Sequence, residues 1–161
     1  MTKKRILFVC MGNICRSPAA ETIMQSKIKA KNLLNEIEVD SAGTIDYHAG
    51  ESADERMIEH AAKRGYNINS IARQFDKLND FTGYDYIITM DDEIYDEVIS
   101  LATKNEHRKK ILKMTNFCEI LSAGNIPDPY YESASGFEKV LDLLEDATNG
   151  LLKKVMDDIS Q

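Results

Sequence analysis

The sequence has no apolar run near the roughly 20 residues that a membrane-spanning helix needs, which argues against a membrane protein. Thr2-Lys3-Lys4-Arg5 followed by Ile6 to Val9 imitates a signal peptide only faintly, because Asn13 and Arg16 interrupt any extension of the apolar stretch. Basic charge is scarce as well. The chain carries 20 lysines and arginines against 27 aspartates and glutamates, a formal net charge of −7, whereas a nucleic-acid binder shows a basic face. A small phosphate or other oxyanion is not excluded, since a local cup can be positive inside an acidic protein. Cysteine is limited to Cys10, Cys15 and Cys118, an odd count without a disulfide framework, which suits a cytoplasmic protein in a reducing environment. His48, His60 and His107 show no metal-ligand spacing with one another or with the cysteines, so no metal is assigned. Internal repeats, low-complexity tracts and linkers are missing, and so is the Gly-x-x-x-x-Gly-Lys-Ser/Thr pattern of a nucleotide loop.

What remains is an ordinary globular composition, 43% hydrophobic and 29% charged over 161 residues. That length predicts a single domain, 1–161, able to bury one sizeable core. Ile6-Leu7-Phe8-Val9 reads as a buried strand. Ser17 is placed to cap a first helix reaching to about Lys31, with Pro18 at its first position. Glu36 to Asp40 alternates as a strand, and Ser41 to Gly50 reads as a loop. Ser52-Ala53-Asp54-Glu55 fits a capping box opening a helix that stops at Gly65. A third strand is expected over Tyr84–Met90, a helix capped by Asp91 or Asp92 after it, and a weak fourth strand over Lys110–Met114. The C-terminal stretch from Phe137 to Ile159 keeps a helical apolar period, with a possible irregularity at Asn149-Gly150. Strands alternating with helices predict an α/β fold with a parallel sheet and helices on both faces. The loops after the strands then share the rim where such sheets bind ligands.

One stretch organises the rest: Cys10-Met11-Gly12-Asn13-Ile14-Cys15-Arg16-Ser17-Pro18. A strand turning tightly into a helix aims backbone N–H groups and the positive helix end at one point. Met11 to Cys15 supply the amides, Gly12 and Asn13 tolerate the unusual backbone angles of a tight curl, and Arg16 can grip two phosphate oxygens at once. At the floor lies Cys10. Taken alone, a cysteine ending an apolar strand reads as a small buried hydrophobe. An ordinary thiol, with a pKa of about 8.5, is only a few per cent thiolate at neutral pH. Here the loop dipoles, Arg16 and the Ser17 hydroxyl all favour the anion, so Cys10 is read as a nucleophile in its own substrate cup.

Cys10-x5-Arg16-Ser17-Pro18 together with Asp128-Pro129-Tyr130-Tyr131 resembles the low-molecular-weight protein tyrosine phosphatases. The resemblance extends through Ser41-Ala42-Gly43-Thr44, Tyr47-His48-x-Gly50, Asp54 and Arg56, Ala72-Arg73-Gln74, and Tyr84 to Asp91. It implies a four-stranded parallel sheet in a Rossmann-like three-layer sandwich, no cofactor, and phosphotyrosine-containing proteins as substrates. It implies a cysteinyl-phosphate intermediate on Cys10, with Asp128 as general acid and then base. From the residues alone, Asp128 would be one more turn aspartate. The resemblance also implies that Asn13 and Ser41 hold the loop in shape, that Tyr47, Tyr130 and Tyr131 wall the pocket, and that Cys15 can pair reversibly with Cys10. His48 and His107 are expected at the surface and His60 on a helix face.

The chain departs from the family pattern where a supporting histidine often precedes Ala-Arg-Gln, offering Ser70 and Ile71 instead, and Ile94 stands where an asparagine is usual. Both bear on the network behind the loop. A protein-arginine phosphatase branch tends to carry threonine at the position of Ile14, which favours phosphotyrosine here. A thiol-dependent arsenate reductase shares this loop but needs relay cysteines, and past the loop this chain has only Cys118.

Overall fold

The structure, a computed structural model, describes residues 3–161; Thr2, at the head of the signal-like stretch, lies outside them. In order the elements are β1 (Lys4–Cys10), α1 (Arg16–Ala30), β2 (Ile37–Gly43), α2 (Glu55–Ala62), α3 (Asp80–Gly83), β3 (Tyr86–Thr89), α4 (Asp92–Leu101), α5 (Asn105–Arg108), β4 (Ile111–Lys113), a 3₁₀ turn (Met114–Phe117) and α6 (Ala134–Ser160). The four strands form one sheet ordered β2-β1-β3-β4, with every pairing parallel.

Strand periodicity explains the layers. Successive β1 side chains go to opposite faces. Ile6, Phe8 and Cys10 join one core with α1, α2 and α6, while Leu7 and Val9 join a second core with Phe75, Phe81, Ile94 and Val98. Because both faces are covered, β1 reads as a continuous apolar run rather than an alternating one. Ala20, Ile23, Met24 and Ile28, at helical spacing along α1, are all buried. The order reverses at β1, whose neighbours are β2 on one side and β3 on the other. That switch point is where open parallel sheets take ligands, beyond the carboxyl ends of the strands.

Several boundaries differ from expectation for identifiable reasons. α1 begins at Arg16 with Cys15 as its cap, so Ser17 lies inside the first turn and its hydroxyl is not spent on capping. α2 is capped by the Asp54 carboxylate, which accepts from the Arg56 amide at 2.8 Å, rather than by Ser52. β2 runs through Gly43, so Ser41 to Gly43 are strand and not loop, paired with Phe8, Val9 and Cys10. α6 is unbroken at Asn149-Gly150. Glycine is required there by a neighbour: a Cβ at position 150 would stand 2.0 Å from the Phe117 carbonyl oxygen. α3, α5 and the 3₁₀ turn are each four residues long, too short for a periodic pattern to reveal. His107 is not a surface residue either. Its ring stacks on Phe81 at 5.3 Å with an interplanar angle of 6°. Among the described residues no helix is long and apolar enough to cross a membrane.

Candidate active site

The link from β1 to α1 curls around a single point. Its carbonyls face outward: those of Cys10, Met11, Ile14 and Cys15 accept from the amides of Thr44, Ile45, Asp54 and Ala19 at 2.8–3.2 Å. Among the described residues, the amides of Gly12, Asn13, Ile14 and Cys15 donate to no protein acceptor. Such unpaired donors, set at the N-terminus of a 15-residue helix, make an anion cup. The turn is tight enough to put Asn13 at φ 60°, in the left-handed region that asparagine tolerates better than most residues. Gly12 is needed for a different reason. A Cβ there would stand 3.0 Å from Cδ2 of His48, which packs on the loop. Gly43 matters in the same way, since a Cβ on it would meet the Met11 carbonyl oxygen at 2.6 Å.

Side chains behind the cup fix its shape and its protons. Asn13 Oδ1 accepts from the Arg73 amide at 3.0 Å, which settles the orientation of its side-chain amide. Asn13 Nδ2 then donates to Ser17 Oγ at 2.7 Å and to Ser41 Oγ at 2.9 Å. Ser17 Oγ lies 2.9 Å from Cys10 Sγ. Its oxygen accepts from Asn13, and its own proton can go to the sulfur or, at the longer distance of 3.5 Å, to the Ala42 carbonyl. Arg73 is itself pinned by the buried Asp80, at 2.9 and 3.2 Å, and by Asp40. The departures at Ser70 and Ile94 leave this network whole. Ile94 is buried in the second core, and Ser41 donates instead to Glu21 Oε1 at 2.6 Å.

Burial, then the Asp40 charge, raises the Glu21 carboxyl above its ordinary value of 4.5, although the Ser41 hydrogen bond and Arg73 act against this. A carboxyl raised by folding adds stability below its unfolded value and loses it as pH rises through the folded one. Glu21→Gln, which keeps an acceptor for Ser41 and removes the charge, is therefore expected to raise Tm at pH 7. Each kcal/mol gained would appear as about 2–4 °C, and the gap should close by pH 4. Thermal unfolding followed by circular dichroism at both pH values checks this.

Arg16 is buried, and its fork is divided. Nη1 donates to Asp91 Oδ2 at 2.6 Å and to the Ile126 carbonyl at 3.0 Å, and Nη2 lies 3.6 Å from Asp128 Oδ2. The Nε–Nη2 edge is left for an oxyanion. Burial works against the charged guanidinium, but the charges of Cys10, Asp91 and Asp128 more than offset it, so its pKa is raised and Arg16 stays cationic. Asp91 was not legible as a site residue: Asp91-Asp92-Glu93 reads simply as a helix cap, which it also is, accepting from the Ile94 amide at 2.8 Å. Asp91→Ala removes the cap and strands a buried charge, so a loss of about 3 kcal/mol is expected. In a chain of this size that lowers Tm by about 6–12 °C, measurable in the same unfolding experiment.

The two neighbouring cysteines sit in different fields. Burial first, then the Asp54 charge, pushes the Cys15 thiol well above its ordinary range, so Cys15 stays protonated. Both cysteines are free. Over the cup opens a cavity of about 300 Å³ lined by Cys10, Arg16, Ile45, His48 and Asp128 among others. Met11, Tyr47, Tyr130 and Tyr131 line its mouth, with Tyr131 94% and Tyr47 80% exposed. Tyr130 and Tyr131 meet edge to face at 4.9 Å. His48 is part of this wall rather than a plain surface residue, its ring 4.7 Å from Tyr47 and its Nδ1 2.8 Å from Glu51. Apolar rings around a cationic floor suit a phosphorylated aromatic group. Asp128 sits at the rim, half-exposed, its Oδ1 accepting from the Tyr130 amide at 3.1 Å.

Comparison with known proteins agrees with this arrangement. Residues 5–161 match the family model described as low molecular weight phosphotyrosine protein phosphatase. A putative low molecular weight protein-tyrosine-phosphatase of Synechocystis is 45% identical over 148 residues, covering 92% of this chain and 94% of that protein. A protein tyrosine phosphatase from Entamoeba histolytica, whose crystal structure holds Hepes in the active site, superposes with a TM-score of 0.94 at 42% identity, covering 97% of this chain and 99% of that one. YfkJ from Bacillus subtilis superposes at 0.90 with 34% identity and 98% coverage of each chain. The chain belongs to the low molecular weight phosphotyrosine protein phosphatase family.

Proposed function

We propose that the protein hydrolyses phosphotyrosine on protein substrates through a cysteinyl-phosphate intermediate, with Cys10 as nucleophile, Arg16 as phosphate clamp and Asp128 as general acid and base. The observation that carries this reading is the meeting of three groups over one cavity: Cys10 Sγ with its Ser17 partner at 2.9 Å, unpaired loop amides, and Asp128 within 3.6 Å of Arg16.

The chemistry follows from that placement. The thiolate attacks phosphorus in line, while the amides of Gly12 to Cys15 and the free edge of Arg16 hold the three equatorial oxygens. The oxygen–phosphorus bond to the tyrosine breaks, and Asp128 gives its proton to the departing phenolate. A water molecule then attacks the phosphocysteine, losing its proton to Asp128, and the thiolate leaves again as phosphate forms. No electron transfer occurs, and each proton is accounted for. Asn13 and Ser41 support the loop, and Met11, Tyr47, Tyr130 and Tyr131 receive the aromatic ring.

Steady-state release of phosphate from matched peptides carrying phosphotyrosine or phosphoarginine tests the reading. Faster turnover of the phosphotyrosine peptide is expected. Absence of turnover on it would overturn the phosphatase reading, and preference for phosphoarginine would overturn the assignment of substrate through Ile14.

A further inference from the structure

Resting on the phosphatase reading, the geometry points to Arg56 as a positioning residue for the general acid: it ties the phosphate loop to the acid loop, so that Asp128 is held over Arg16. Nothing in the reaction itself calls for Arg56, which lies at the start of α2 with its side chain 47% exposed.

The argument is a closed circuit of contacts. Asp54 donates its amide to the Ile14 carbonyl at 2.8 Å, fixing the start of α2 to the cup. The Asp54 carboxylate grips Arg56 with both oxygens, accepting from Nε at 3.0 Å and from Nη2 at 2.8 Å. This pairing sets the plane of the guanidinium. The group then lies over two rings at once, with Cζ 5.4 Å from the Tyr130 centroid and 4.9 Å from that of Phe137. Phe137 is a fixed wall. It is fully buried near the start of α6 and is also stacked against His60 at 5.4 Å. Tyr130 is carried on the loop before α6, and its amide donates to Asp128 Oδ1 at 3.1 Å. Asp128 reaches Arg16 at 3.6 Å, and Arg16 is two residues from Ile14, which closes the circuit. A cation over a ring favours contact without fixing a rotamer, so Arg56 can hold Tyr130 while its hydroxyl end meets substrate. An exposed arginine kept only for solubility would need neither the bidentate anchor nor two rings.

This role has a signature that general loosening lacks. Asp128 matters most when the leaving group is a poor one, as tyrosine is with a phenol pKa of about 10. It matters little for p-nitrophenolate. The measurement is kcat/KM, which reports the steps through phosphocysteine formation, for a phosphotyrosine peptide and for p-nitrophenyl phosphate. Arg56→Ala is expected to lose about tenfold more on phosphotyrosine than on p-nitrophenyl phosphate. In an Asp128→Asn background that extra loss should vanish, because both changes then act through one group. If Arg56→Ala does not fold, Arg56→Met, which keeps the side-chain stem against both rings, carries the same comparison. Equal losses on the two substrates, or an extra loss that survives in the Asp128→Asn background, would overturn the inference. Neither outcome would touch the phosphatase reading, which fails only if the unaltered protein releases no phosphate from phosphotyrosine.

Discussion

Cys10→Ser is expected to lower phosphotyrosine hydrolysis by at least about 10⁴-fold while phosphate still binds. The size follows from removing a nucleophile for which the site has no substitute. Among the described residues the nearest rival thiol, Cys15, is held protonated by burial and by Asp54, and its carbonyl is engaged with Ala19 in the turn of α1. Binding should survive because the amides of Gly12 to Cys15 and the guanidinium of Arg16 do not depend on the sulfur. A serine hydroxyl would also accept the Ser17 proton, so the loop keeps its shape. Isothermal titration with phosphate, alongside turnover, separates the two effects. Loss of both together would mean that Cys10 is a structural residue of the loop.

Asp128→Asn is expected to cost about 10²–10⁴-fold in kcat/KM on a phosphotyrosine peptide, the usual contribution of a placed general acid. The cost on p-nitrophenyl phosphate should be far smaller. Asparagine preserves the acceptor that the Tyr130 amide uses at 3.1 Å, so the turn should persist. What it removes is the proton, together with the negative charge 3.6 Å from Arg16. Relief of that charge should tighten binding of the phosphate dianion, so KM is expected to fall while kcat falls. A uniform loss on both substrates would place the proton donor elsewhere.

The architecture was legible because both faces of the sheet are covered. Continuous apolar runs at Ile6–Val9 and Tyr86–Ile88 announce buried parallel strands, and the α1 stripe announces the helix against them. The cup was legible because all its chemistry lies in one short local stretch, Cys10 to Ser17. Asp128 was a different matter, since a Pro-Asp-Pro turn carries no sign of the partner that folding brings to it; only the family resemblance singled it out. Asp91, Glu21 and His48 went unseen because each acts through a contact made far along the chain: Asp91 to Arg16, Glu21 to Ser41, and His48 to Gly12. Their local sequence was fully explained by helix capping, an amphipathic helix surface and a loop. Ser17 carried two expectations: the helix cap went to Cys15 instead, while the contact of its hydroxyl with the Cys10 sulfur is present.

The most direct test is to trap the intermediate. The protein is mixed with a phosphotyrosine peptide, quenched with acid during turnover and digested, and the phosphate is located by mass spectrometry. The phosphate should be found on Cys10 and should be missing from Cys10→Ser treated in the same way. Turnover with no phosphate on Cys10, or with phosphate on another residue, would contradict the account.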